Sequence, residues 1–220
     1  MMQNNKSFVR RQGRLTTGQK KALTTLTDVY VLPNDSGFLN FPSIFQRVAP
    51  VIVEIGFGMG DSLLMMAQQH PDVDFIGVEV YRPGIGALIS KLHSAQVSNV
   101  RILEGDAAVL IPQRITEHSL AGIHIFFPDP WPKKRHHKRR LVQAPLIAML
   151  QTRLQARGHI HLATDWANYA EQMQMVLSQA PDLVAAPPGT GMRVATKYEK
   201  RGERLGHKIY DFVFVTPHPP

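Results

Sequence analysis

The sequence predicts an α/β fold: a doubly wound, mostly parallel sheet with helices on both faces. Three observations predict it. Short β-branched runs alternate with stretches of helical character, the pattern of strands joined by crossover helices. The strand candidates are near-continuously apolar, as strands buried on both faces must be. Glycines or acids directly follow the candidate strands, and open α/β sheets bind ligands at the carboxyl ends of their strands.

The elements follow in order. Residues 1–27 hold Lys6, Arg10, Arg11, Arg14, Lys20 and Lys21 and no acid before residue 28, which marks a basic N-terminal arm. Residues 28–50 read as irregular, with Pro33, Asn34, Gly37 and Pro42. Residues 51–55 are β-branched and run into glycines, a first strand; 63–67 have helical character. Residues 75–79 make a second strand, and 87–95 a helix face with Pro83 in its first turn. Residues 100–103 and 123–127 are the third and fourth strands. A helix is expected over 144–156, a fifth strand over 159–163, a helix over 166–179 and a last strand over 209–215. Right-handed crossovers then favour the doubly wound topology. The domain division expected is an arm over 1–27, one domain over 28–216 and a short tail over 217–220.

Composition narrows the function. The 220 residues carry 25 Lys and Arg against 17 Asp and Glu, a formal charge of +8, which favours polyanionic partners. The absence of Cys excludes disulfide scaffolds, thiolate metal sites and Cys nucleophiles. No apolar run approaches the roughly 20 residues that span a bilayer, and the start lacks the apolar core of a secretory signal. A cytoplasmic protein without a membrane partner is expected. His136, His137, His159 and His161 lack an acidic cluster, so no metal is expected. Twelve of the 25 basic residues lie in two places, the arm and the run 133–140. Pro128, Pro130 and Pro132 precede that run, so it is a shaped loop and reads as a phosphate-binding surface.

The residues after each strand suggest a nucleoside pocket. Glu54 is followed by Gly56, Gly58 and Gly60, which let the chain turn tightly against a ligand. A dinucleotide fingerprint requires glycine at 61, where the chain has Asp61. The acid before the glycines repels a pyrophosphate and favours a cationic ligand. Glu79 stands where an acid accepts ribose hydroxyls, and Asp106 where one accepts an adenine amine; each alone is also a reasonable helix cap. Together they fit S-adenosylmethionine better than NAD or ATP. Asp129, between prolines after the fourth strand, faces the acceptor side, and Trp131 offers a stacking face.

The segment 126–140, Phe-Phe-Pro-Asp-Pro-Trp-Pro-Lys-Lys-Arg-His-His-Lys-Arg-Arg, resembles the signature of the tRNA (guanine-N7)-methyltransferases. Residues 7–14, 163–166, 196–199 and 206–211 resemble further motifs of that family, so the likeness spans nearly the whole chain. It implies a Rossmann-like methyltransferase fold with a seven-stranded sheet and an antiparallel last strand. It implies methyl transfer from S-adenosylmethionine to N7 of guanine 46 in the tRNA variable loop, with tRNA as partner and no obligatory protein partner. It also implies that Glu54, Glu79, Asp106 and Asp129 contact the cofactor or the reaction centre. Lys133, Asp165, Thr196, Lys197, Tyr198 and Glu199 would contact the substrate. Arg135, His136, His137, Lys138, Arg139 and Arg140 would touch RNA.

Two other readings stand beside this one. The Asp-Pro-Trp turn at 129–131 also resembles the Asp-Pro-aromatic turn of exocyclic-amine methyltransferases. A non-catalytic RNA-binding module is the other; the intact set of acids argues against it.

Overall fold

The computed structural model describes residues 13–35, 37–187, 190–194, 206 and 208–217. Helices are α1 (Thr17–Thr25), α2 (Thr27–Tyr30), α3 (Phe41–Phe45), α4 (Asp61–Gln69), α5 (Arg82–Ser94), α6 (Ala107–Arg114), α7 (Ala144–Gln151) and α8 (Ala167–Ser178). Strands are β1 (Val51–Ile55), β2 (Asp74–Glu79), β3 (Val100–Glu104), β4 (Leu120–Phe126), β5 (Leu154–Thr164), β6 (Val184–Ala185) and β7 (Tyr210–Val215). They form one sheet in the order β3-β2-β1-β4-β5-β7-β6. The first five pair in parallel, and β7 runs antiparallel to both β5 and β6.

The chain lays down β1, β2 and β3 outward in one direction, then returns to place β4 on the other side of β1. That reversal leaves a crevice at the carboxyl ends of β1 and β4. Side chains alternate across the sheet. Val51, Val53 and Ile55 join Ile123, Ile125, Ile160 and Leu162 under α6, α7 and α8. Ile52, Phe75, Ile102 and Phe126 face α1, α4 and α5, where Leu63, Met66, Leu88 and Leu92 complete a second core. Removing a buried Leu or Ile side chain from either layer costs about 2–5 kcal/mol.

Some elements differ from the sequence reading. Residues 17–25, within the basic stretch, form α1; a reciprocal capping box between Thr16 and Gln19 starts it. It packs on α5, with Ala22 buried and Gln19 against Gly86. The region read as irregular contains α2 and α3, the latter capped by the Asn40 side chain, which accepts from Ser43 N at 3.0 Å. The helix expected to reach residue 156 stops at Gln151, and β5 starts at Leu154, paired with Leu120. The register shifts between Leu120 and Gly122, so residues 155–157 bulge outward, exposed. Their Gln-Ala-Arg composition favours helix locally, but the pairing of Leu154 prevails. The two-residue β6 has too short a pattern to read from sequence.

Candidate active site

A cleft of about 430 Å³ opens at the carboxyl ends of β1 to β4. Its walls are the segments that follow those strands: Ile55, Gly56 and Gly58; Glu79 and Tyr81; Gly105 and Asp106; Phe127, Pro128 and Asp129. This volume suits a nucleoside-sized ligand.

The glycine turn supplies close backbone approach. Gly56 and Gly58 have φ of +76° and +57°, which favours glycine, and a Cβ on either would point into open space. Gly60 starts α4 and faces away from the cleft, its Cβ direction filled by Leu88. Asp61, where a dinucleotide turn would need glycine, pairs with Lys91 Nζ at 2.7 Å.

The three acids are placed differently. Glu54 is only 2% exposed and lies beneath the wall rather than on it; among the described residues its Oε2 has no hydrogen-bond partner. Burial, reinforced by nearby Glu79, pushes its carboxyl up to about 8. Glu79 lines the cleft, and its carboxylate is partly spent on the backbone. Oε2 accepts from Gly58 N at 2.9 Å, and Oε1 from Val80 N and Tyr81 N at 2.7 and 2.9 Å. Glu79 therefore ties the β1 turn to the β2 turn. Asp106 caps α6, accepting from Ala108 N at 3.0 Å through Oδ1, and lines the cleft as well. The capping and pocket roles coexist, because a carboxylate has acceptor capacity to spare.

These features suit a cationic nucleoside cofactor: a glycine cradle, acids along the wall and an unpartnered buried carboxyl oxygen beneath it. Among the described residues, no group of three or more candidate ligands is arranged to hold a metal ion.

Asp129 is exposed on the rim, in a turn with unusual backbone. Phe127 and Trp131 both have positive φ, +48° and +45°, which costs about 1–3 kcal/mol each and persists only where surroundings hold it. Phe127 N donates to Ala163 O at 2.8 Å. The Trp131 ring packs edge-on to His136 at 5.9 Å and under the Arg139 guanidinium at 5.1 Å. A 3₁₀ helix, Lys134–Arg139, follows. Lys133, Lys134, Arg135, Lys138 and Arg139 are exposed, and His136 and His137 half-buried.

Arg140 stands apart from the RNA-contacting set to which the sequence assigned it. It is 2% exposed, and its guanidinium donates to Pro130 O, Asn168 Oδ1 and Gln172 Oε1 at 2.9, 2.9 and 2.8 Å. It also lies over the Tyr169 ring. The six Lys and Arg side chains of 133–140 look alike in sequence; only packing against α8 turns the last one inward as the anchor of the loop.

Asp165 is exposed at the end of β5, beside β4. Thr196, Lys197, Tyr198 and Glu199 lie outside the described residues, as does most of the arm, residues 1–12.

Sequence reasoning missed a polar seam across the sheet. Glu54, His124 and His161 occupy the same register row and are all buried. His124 Nε2 meets His159 Nε2 at 2.9 Å. Burial, then neighbouring histidines, holds His124 well below the usual imidazole range and His159 down at about 4. Asp211 of β7 contacts His161 Nε2 at 2.9 Å and pairs with Arg193. Burial pushes the Asp211 carboxyl up, but hydrogen bonds and charge from His161 and Arg193 outweigh it and bring it to about 2. Alternation of His and apolar residues in 159–163 signalled the inward-facing histidines; the partnership with Asp211 had no local signal.

A family model described as a putative methyltransferase matches residues 48–212. A tRNA (guanine-N(7)-)-methyltransferase of Thiobacillus denitrificans is 50% identical over 213 residues, covering 95% of this chain and 94% of that protein. One from Alcanivorax borkumensis is 47% identical over 220 residues, with 97% and 92% covered. Among solved structures, the 16S rRNA methyltransferase KamB superposes with a TM-score of 0.58 at 14% identity, covering 86% of this chain and 99% of its own. That similarity bears on the fold alone, a Rossmann-like methyltransferase fold. With identity near one half over almost its whole length, the chain belongs to the tRNA (guanine-N7)-methyltransferases, a family of methyl-transferring enzymes.

Proposed function

We propose that this enzyme transfers a methyl group from S-adenosylmethionine to N7 of guanine 46 in the variable loop of tRNA. The observation that carries the reading is the continuity of one surface. The acid-walled cleft ends at Asp129 on its rim, and the chain runs from there directly into the exposed cations 133–139. Relatives named for tRNA guanine-N7 methylation support the substrate class.

The bound cofactor supplies a methyl group on a cationic sulfonium. Guanine N7 carries a lone pair and no proton, so the protein needs no general base. Its task is alignment, with reacting atoms about 3–3.5 Å apart, which accounts for roughly 7–11 kcal/mol of a barrier. Glu79, Asp106 and the Gly56 and Gly58 backbone hold the nucleoside end. Glu54, beneath them, would offset the cofactor's positive charge. Asp129 lies where the guanine ring gains positive charge, and a fixed carboxylate there stabilises that charge as it grows. Asp129, Asp165 and Glu199 are also suited to accept from guanine N1–H and the 2-amino group. Lys133 and residues 196–199 complete the substrate side. Arg135, His136, Lys138 and Arg139 meet phosphates, His137 supports the loop, and the basic arm adds to the grip on RNA. The variable-loop base must leave its tertiary pairing to be reached. No part of the reading needs a protein partner, and it places the enzyme where tRNA is, in the cytoplasm.

The test is incubation with labelled S-adenosylmethionine and unmodified tRNA, then borohydride and aniline cleavage. Scission at guanine 46 is expected. Label on an exocyclic amine, or cleavage elsewhere, would overturn the site or the position.

A further inference from the structure

We propose that Asp211 is a positioning residue for methyl transfer, acting through Arg193 on the turn that carries Asp129. The proposal rests on the methyl-transfer reading above and deepens it. Asp211 stands on β7, paired in register with Ala163 of β5. Its carboxylate is held from two sides. His161, buried in the sheet, contacts Oδ1 at 2.9 Å. Arg193 Nε donates to Oδ1 at 2.8 Å and Nη2 to Oδ2 at 2.5 Å. Such a two-point fork fixes orientation as well as distance.

The guanidinium so fixed reaches the reaction turn. Its central carbon lies 5.6 Å from the centroid of the Phe127 ring, within cation–π range. Phe127 is two residues before Asp129, with only Pro128 between, and its positive φ depends on what surrounds it. Its N–H is held by Ala163 O, on the same residue that faces Asp211 across the strands. Arg193, only 12% exposed, thus bridges Asp211 of β7 and the turn after β4, and β5 holds both of those partners. Two of its nitrogens, Nε and Nη2, are engaged by Asp211, which argues against a primary role as a phosphate-binding cation. Asp129 is exposed on the rim, so its direction depends on how the turn beneath it is braced.

A pair that merely stapled β7 to the sheet would change stability and nothing else. A positioning pair changes the rate of the aligned complex. Single-turnover methylation at saturating tRNA and cofactor separates these, alongside calorimetric cofactor affinity. We expect Asp211→Asn and Arg193→Lys each to slow the single-turnover rate on the order of ten- to hundred-fold, the cost of misalignment at a reacting centre. Cofactor affinity should stay within about twofold, because neither residue lines the cofactor cleft. Arg193→Lys keeps the charge and loses the fork and the planar face, so it decides the matter if Asp211→Asn does not fold. Phe127→Leu should slow the same step, and the double variant Phe127→Leu with Arg193→Lys should be little slower than the worse single one, since both remove one contact. Wild-type single-turnover rates in Arg193→Lys and Asp211→Asn overturn the proposal. So does a loss confined to tRNA KM, or full additivity in the double variant. If the unaltered enzyme forms no 7-methylguanine, the functional reading falls and takes this one with it. If it does and the variants match it, this proposal alone fails.

Discussion

Glu54 shows how a single residue links burial to ligand charge. Its carboxyl is sealed under the cleft wall beside Glu79 and titrates near 8, so at neutral pH the ligand-free protein keeps it protonated. A raised carboxyl favours the folded state fully below its unfolded value of 4.5, and that contribution is lost as pH rises through about 8. Two outcomes follow. Glu54→Gln should stabilise the ligand-free protein at pH 9 by up to about 5 kcal/mol relative to wild type, measured by denaturant unfolding. Binding of the cationic cofactor should ionise Glu54 in the wild type and release a proton at pH 7, read by calorimetry in buffers of different ionisation enthalpy. Glu54→Gln should release none; equal release by both proteins would remove Glu54 from the cofactor's charge balance. Asp129 acts at the same scale but on the acceptor. Asp129→Asn keeps shape and removes charge, and a fall on the order of 10²-fold in the single-turnover rate is expected. An unchanged rate would leave Asp129 with orientation alone.

The loop 127–140 illustrates the scale of elements. Prolines and six cations make it legible in sequence as a shaped basic surface, and the 3₁₀ helix and exposed side chains agree with that. The division of labour within it is not legible, because Arg139 and Arg140 are chemically identical and differ only in which way the chain turns them. Arg139 covers Trp131 from outside, whereas Arg140 is locked against α8. Arg140→Ala leaves several buried acceptors unpaired and should cost about 3 kcal/mol, seen as a lower Tm. Lys138→Ala, exposed, should stay within about 0.5 kcal/mol while weakening tRNA binding. A reversed pattern would mean that the anchor is misassigned. The strands were legible for a different reason: buried parallel strands need near-continuous apolar runs, and 51–55, 75–79 and 100–103 come close, broken only by Glu54, Glu79 and Arg101. The start of β5 was not, since Leu154 is drawn into the sheet by Leu120, a partner 34 residues away.

At the scale of the whole molecule, charge and burial set the response to solution conditions. His159 titrates near 4 in the fold and near 6.5 when unfolded. A depressed imidazole leaves stability intact above 6.5, and stability falls as pH drops from there to about 4, because the unfolded chain then binds more protons. The loss attributable to His159 is about 3 kcal/mol. His124 acts in the same direction. Unfolding measured from pH 7 to pH 4 should therefore show a steeper decline in wild type than in His159→Gln; parallel curves would reject the assignment. The exposed cations give the second response. If about five phosphates are neutralised, the log–log slope of tRNA affinity against salt should be of order −4, and a flat dependence would remove the phosphate grip.

The amino-acid sequence by itself determined the layered α/β plan, the position of the cleft at the strand ends and the signature 126–140, because these depend on local periodicity, short spacings and residue type. Tertiary structure alone decided which charges face inward. Glu54 lies beneath the cleft rather than in its wall, Arg140 is packed against α8 as the anchor of its loop, and Asp211, 50 residues from His161 and 18 from Arg193, closes on both. The physical reason is that burial and pairing are properties of neighbours in space. A charged side chain has no fixed role until the fold sets what surrounds it, and here the sheet row joining Glu54, His124 and His161 sets it.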